Sequence, residues 1–320
     1  MKLNPKVKKL LGLLLAAGFY VGLYFVSKDN FEKLREIDQN ALEINYAPLF
    51  VSFMLVILNW YFEALKWRIS LRPVQRISVR LSVAGVLKGI PPSIFTPNRI
   101  GEALGRPSVL KEENRFQGVL ATAYCGLSQM PVMIFCGLFS CVYFSLTGQD
   151  FAGAEFLTSW VFIVSGVCVF ATVTAVYLFP QYSIPFLRRT RRAKGLLRKL
   201  YFFCNYRMRD KLRLLMFSLL RYIVYSTQNA LAIKAFGIEI GVLEALMSVF
   251  LIYALMSFVP RPALLELGVR CSASVFVLGK YTADFSAPTV SSVYVWCVNL
   301  LIPAVLGTAF YLLGKKIKKN

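Results

Sequence analysis

Apolar residues along this 320-residue chain fall into long blocks separated by short charged stretches. At about 1.5 Å of rise per residue, a helix needs roughly 17–25 residues to cross the hydrocarbon core of a bilayer. Six blocks qualify: 10–27, 47–65, 118–147, 156–179, 214–235 and 288–313. The first has the basic start of a secretory leader, but Tyr20 to Ser27 stays bulky and Lys28 follows, so the sequence predicts a retained span.

Two further apolar segments are interrupted. Residues 81–96 contain Gly89 and Pro91-Pro92 and run into Pro97-Asn98-Arg99-Ile100-Gly101-Glu102-Ala103-Leu104-Gly105-Arg106. Residues 241–259 end at Pro260-Arg261-Pro262 and continue through Glu266 and Arg270 to Gly279. Each proline lacks an amide donor and disfavours helix in the residue before it, so neither segment is expected to form one continuous helix. Both predict a half-helix, a proline break and a half-helix back. The breaks share one order, proline then Glu then Arg four residues on, and Glu102 and Glu266 stand 164 positions apart.

Charge placement orients the pattern. Of the 37 Lys and Arg, 24 lie in the N-terminal stretch, in 66–80, in 188–213 and in the C-terminal tail, whereas 28–46 and 148–155 are acidic on balance. The positive-inside rule then puts both termini in the cytoplasm. The first hairpin leaves from the inner side and the second from the outer side. The expected fold is an all-α polytopic membrane protein with about six full spans plus two broken, re-entrant hairpins in an inverted repeat. It forms a single transmembrane domain over 1–320, with pseudo-repeat halves at about 47–147 and 214–313. Inverted repeats with broken helices meeting near the midplane are a common transporter layout.

Composition agrees. With 57% apolar residues, 17% charged and a mean hydropathy of +0.58, the chain lies outside the soluble class. The net charge of +21 sits in loops, which points to the membrane surface rather than to nucleic acid. The absence of His removes His-based acid–base catalysis and His-containing metal sites. The seven Cys contain no CxxC and mostly lie in apolar runs, where a thiol behaves as a small hydrophobe. No P-loop or Asp-rich diphosphate motif is present, so no cofactor and no enzymatic activity are expected.

The candidate site is the set of charges at the breaks. Arg99, Glu102, Arg106, Glu266 and Arg270 together would cost roughly 12–17 kcal/mol at the membrane centre, and ionisable groups at that depth are functional by default. The i,i+4 order of Glu102 with Arg106 and of Glu266 with Arg270 permits partial neutralisation, which would equally suit a structural pair. A half-helix starting after Pro97, with Arg99 beside it, suits an anion. Arg221 is placed on the same route, Lys234 at a span end, and Glu63 at the inner interface beside a neighbouring cation.

At these residues the chain resembles the transmembrane, flippase-like region of the lysylphosphatidylglycerol synthase family. The similar features are Lys66-Trp67-Arg68 before a basic loop, Pro97 through Gly101-Glu102 to Arg106, and the proline-rich break carrying Glu266. The second break departs from the family's Pro-x-Pro-Gly-Gly pattern, reading Pro260-Arg261-Pro262-Ala263-Leu264. The resemblance implies movement of a phospholipid or polyprenyl-phosphate-linked lipid across the plasma (inner) membrane. No counterpart of the family's soluble aminoacyl-transfer domain is expected. Membrane lipids are the expected partners, whether anionic or zwitterionic phospholipids or a polyprenyl carrier. The alternative is a non-catalytic membrane partner of a separate lipid- or glycan-modifying enzyme.

Overall fold

The computed structural model describes residues 44–94, 96, 100–149, 151, 154–182, 201–257 and 263–313. The expected span 10–27, the proline breaks at Pro97 and Pro260, and Arg99 lie outside them. The described residues are helical: α1 Tyr46–Ser70, α2 Val79–Ile94, α3 Gly101–Gly105, α4 Arg115–Leu127, α5 Gln129–Leu146, α6 Trp160–Leu178, α7 Met208–Ala235, α8 Val242–Ser257, α9 Ala263–Leu278, α10 Ser286–Trp296 and α11 Ile302–Leu313. Short 3-10 turns join several of them. A π-turn, Cys297–Leu301, links α10 to α11.

Four stretches are long and apolar enough to cross a membrane: Tyr46–Ser70, Glu112–Leu146, Trp160–Leu178 and Ser286–Ala309. They coincide with four of the six expected spans. The block 214–235 is also helical, within the 28 residues of α7, but it is less apolar than these four, with Arg221, Gln228, Asn229 and Lys234 along its length. Large apolar side chains cover the outer surface, most densely on α6, where Trp160, Val161 and Val164 are all more than half exposed.

The centre of the molecule is an antiparallel pair, α1 against α7. The Asn45 amide donates to the Ala235 carbonyl (2.8 Å), Ser52 Oγ to the Gln228 carbonyl (2.9 Å), Arg221 Nε to Asn59 Oδ1 (3.0 Å), and Arg72 Nη1 to Asp210 Oδ1 (2.6 Å). The two interrupted segments pack around this pair and open at opposite ends of it. The first starts at α2 and returns to Lys111 and Asn114, both bonded to Gln75 Oε1 (3.3 and 3.2 Å) near Arg72. The second starts after Ala235 and returns to Lys280 and Tyr281, both donating to Gln149 Oε1 (2.6 and 3.1 Å), whose amide reaches Glu244 (3.5 Å).

The break read at Pro97 lies outside the described residues; before it, α2 runs through Pro91 and Pro92 and ends at Ile94. Each proline withholds an amide from the carbonyl four residues back, Pro91 from that of Leu87 and Pro92 from that of Lys88. A glycine lies against each. A Cβ at Gly307 of α11 would lie 2.1 Å from the Leu87 oxygen, and one at Gly105 would lie 2.8 Å from the Lys88 oxygen. Only a glycine lets a neighbouring backbone close over these groups, with Cα–H contacts standing in for the missing N–H.

The block 118–147 is likewise two helices. α4 and α5 meet at Ser128, because Pro131 cannot donate to the Leu127 carbonyl. The hydroxyl of Ser128 bonds the Cys125 carbonyl (2.6 Å) and pairs with Ser218 of α7 (2.8 Å), which keeps polar groups at the break satisfied.

Gly307→Val should lower thermal stability by about 3 kcal/mol through overpacking, whereas Gly126→Ala, where a Cβ meets nothing within 4 Å, should change it little. Thermal unfolding of both purified variants in detergent checks the pair. Equal melting would mean that α11 does not need to approach α2 this closely.

Candidate functional site

The most concentrated polar chemistry lies between α1, α7 and the first hairpin. Glu63 and Lys66 stand one turn apart on α1, where Trp67, fully buried and donating to Thr122 Oγ1 (2.9 Å), fixes that face inward. Arg106 enters from the returning arm, along a groove that a Cβ at Gly89 would close to 2.5 Å from its Cγ. Its Nη1 meets Glu63 Oε1 at 2.6 Å, and its Nη2 meets Glu102, at i−4 on the same arm. The other Glu63 oxygen faces Lys66 Nζ (3.2 Å) and Arg221 Nη1 (3.1 Å).

Two carboxylates therefore face three cations, leaving a net charge of +1. Burial grades the members. Side-chain exposure is 1% for Lys66, 5% for Arg106 and 9% for Glu63, but 21% for Glu102 and 29% for Arg221. Removing one partner from such a buried pair leaves an uncompensated charge, which costs more than the pair itself contributes. The two members with residual access, Glu102 and Arg221, are the ones an incoming group can reach.

From Arg221 a row of amides runs along the α1/α7 pair. Asn59 Nδ2 donates to Asn299 Oδ1 (3.0 Å), and Asn299 Nδ2 to Gln228 Oε1 (3.1 Å). Asn299 sits in the π-turn, where the Ile302 amide reaches back five residues to Cys297. Pro303 cannot donate to the Asn299 carbonyl, and the wide turn absorbs that missing bond while aiming the Asn299 side chain at α1.

The second hairpin builds a different site. Arg270 is 3% exposed and Glu266 8%. Arg270 Nη2 donates to Glu266 Oε1 (3.1 Å) and Tyr225 Oη (2.9 Å), and its Nη1 to Tyr253 Oη. Tyr253 Oη also contacts Tyr225 Oη (2.8 Å) and Asn229 Oδ1 (3.0 Å). Arg106 thus faces two carboxylates, whereas Arg270 faces one carboxylate and two phenols. A cavity of about 10 Å³, enough for one water, lies beside Arg270, Asn229, Ser274 and Ser292.

The match that decides identity covers residues 9–307 and is to a family described as the lysylphosphatidylglycerol synthase TM region. The chain belongs to that family. It is an integral membrane protein, as the family and the apolar helices together require. No curated protein and no solved structure matches it. On the family's chain, the sequence-derived site residues fall into two groups. Glu102, Arg106 and Arg221 come together through Glu63, while Glu266 and Arg270 form the separate tyrosine site. No ion pair found among the described residues joins the two. Arg99 lies outside those residues.

Sequence reasoning set Glu63 at the inner interface with a neighbouring cation. The structure gives it that cation, Lys66, and also buries it as the junction of the whole cluster. Asn59, Gln228, Asn299, Tyr225 and Tyr253 were missed. Pro303 placed four residues after Asn299 was the one local signal available.

Glu63→Gln should destabilise the protein by about 3–5 kcal/mol, because three cations lose their common carboxylate. Tyr225→Phe should cost less, about 1.5–3 kcal/mol, since the hydroxyl it removes accepts from Arg270, which keeps Glu266 and Tyr253, and from the neutral Tyr253. Thermal unfolding of the two variants ranks them, and the reverse order would remove Glu63 from its central place.

Proposed function

We propose that this protein moves a phospholipid or polyprenyl-phosphate-linked lipid between the leaflets of the plasma (inner) membrane, without chemistry on the lipid, and that Arg221 receives the anionic headgroup. The observation that carries this reading is the cationic cluster at mid-helix. Arg221 stands at the midpoint of α7, keeps 29% of its side chain open, and belongs to a group whose carboxylates leave one positive charge uncancelled. A planar guanidinium offers two parallel donors to a phosphate. Arg106 and Arg270 are enclosed by their protein partners, whereas Arg221, though paired with Glu63 and Asn59, keeps part of its guanidinium open to an incoming group.

Packing supports an inverted repeat as the frame. Segment α1, first hairpin, α4/α5 corresponds to α7, second hairpin, α10/α11. α2 of the first half packs on α11 of the second through Gly307 at Leu87, and α8 of the second packs on α5 of the first through Gly137 at Ala254. The final helix pair of each half is interrupted, at Ser128 and at the π-turn. With a 164-residue offset and the antiparallel register of α1 and α7, the axis relating the halves falls near Leu58 and Tyr222. Glu63 is five residues away, about 7.5 Å along the helix. On this reading the cluster lies near the midplane, with the ends at Arg72 and Asp210 on the cytoplasmic side and those at Gln149 and Asp284 outside.

The test is lipid movement by purified protein in vesicles containing fluorescent phosphatidylglycerol. Arg221→Gln and Arg99→Gln should each slow movement at least about tenfold while folded yield is kept. If the well-folded parent moves no lipid, transport is wrong and the role of membrane partner to a separate enzyme takes its place. In intact cells, a cysteine at Asp284 should react with an impermeant reagent and one at Arg76 should not; reaction at Arg76 would invert the orientation.

A further inference from the structure

A second cationic site stands apart from the cluster around Glu63. Where the C-terminal end of α1 meets the start of α7, a cavity of about 810 Å³ opens, within the range of ligand pockets. Five arginines line it, Arg68, Arg72, Arg76, Arg207 and Arg213, against a single carboxylate, Asp210. Asp210 takes Arg72 at 2.6 Å and Arg213 at 3.8 Å. Arg68 donates through Nε to the Ile77 carbonyl at 2.9 Å. Arg76 and Arg207 are exposed and make no ion pair among the described residues. Four positive charges therefore remain uncancelled around one cavity.

Orientation of a membrane protein requires cations in a loop, but not cations gathered around a cavity. Here the wall is fixed from behind. Tyr206, next to Arg207, is buried in a stack in which Tyr124 faces Tyr206, Tyr177 and Phe203 at centroid distances of 4.4, 4.9 and 5.0 Å. The Tyr206 hydroxyl is bonded to the Ser70 carbonyl at 2.5 Å, which ties the Arg207 wall to the α1 end that carries Arg68 and Arg72. The backbone that carries Arg207 is thus held beside the one that carries Arg68 and Arg72, which keeps their guanidinium groups around one cavity. Such an arrangement favours an anion that carries at least two charges and accepts several guanidinium donors. On the other side of the cavity Leu65, Ile69, Met216 and Phe217 continue into the apolar faces of α1 and α7.

We infer that this pocket binds a multiply charged phosphate group, a phosphomonoester or diphosphate, at the end of the α1/α7 pair. The group can arrive on a lipid lying against Met216 and Phe217 or as a soluble anion, and the pocket chemistry is the same for both. The inference does not depend on lipid movement.

The experiment uses the full chain purified in detergent, titrated with inorganic pyrophosphate by isothermal calorimetry, and the same chain in nanodiscs of phosphatidylcholine with and without a tenth of phosphatidic acid, with retained lipid counted by native mass spectrometry. The variant is Arg76→Gln with Arg207→Gln, whose side chains anchor no other group. The control is Arg80→Gln with Arg209→Gln, exposed residues outside the cavity that remove the same charge. Saturable pyrophosphate binding, weakened at least tenfold in the variant and less than twofold in the control, supports the site with a soluble ligand. Selective retention of phosphatidic acid, lost in the variant and displaced by pyrophosphate, supports it with a lipid ligand. Equal weakening in variant and control, or no saturable binding in either medium, overturns it. Either result leaves the Arg221 experiment unaffected, since lipid movement is read separately.

Discussion

The guanidinium of Arg106, clamped between Glu63 and Glu102, is the constraint around which the rest is arranged. A charge buried this completely is tolerated only with its partners in place. Arg106 therefore ties the returning arm of the first hairpin to α1, and Glu63 passes the same demand to Lys66 and Arg221, which ties α1 to α7. The glycines serve this clamp: Gly89 makes room for the Arg106 stem, and Gly105 lets the arm lie on α2 close enough for the side chain to reach.

The two hairpins meet the same need by different chemistry. The second arginine is satisfied largely by phenols, which are neutral acceptors that cost less to bury than a carboxylate and hold less tightly. Tyr225 and Tyr253 also pack as rings, at 5.0 Å between centroids, so that site joins the surrounding apolar core, which includes Tyr253, Val249 and Ile252. The first site is ionic and partly open; the second is aromatic and closed. The two arginines thus sit in unequal surroundings, although each has a glutamate four residues before it.

Much of this was legible in the chain because it is local. Four of the apolar spans and the i,i+4 pairs Glu102–Arg106 and Glu266–Arg270 depend on near neighbours, and these are found as read. What was not legible depends on distant ones. That a helix can run through Pro91-Pro92 depends on Gly307, more than 200 residues away, which covers the bared Leu87 carbonyl. Glu63 reads as an interfacial residue because its nearest sequence partner is Lys66, while Arg106 and Arg221 come from other helices. The amide row of Asn59, Asn299 and Gln228 has no sequence spacing of its own, since its members are neighbours only across three elements.

The register of α1 against α7 bears on how such a molecule can move. The contacts from Asn45 to Ala235, Ser52 to Gln228, Asn59 to Arg221 and Arg72 to Asp210 all belong to one alignment. Sliding either helix by one residue would advance it 1.5 Å and turn its side chains by about 100°, misaligning all four at once. The pair is in this sense an axle, fixed along its own length. The helices around it are built otherwise: those jointed at Ser128 and at Cys297–Leu301 are not single rods, so a change of angle there would leave the register of the central pair untouched.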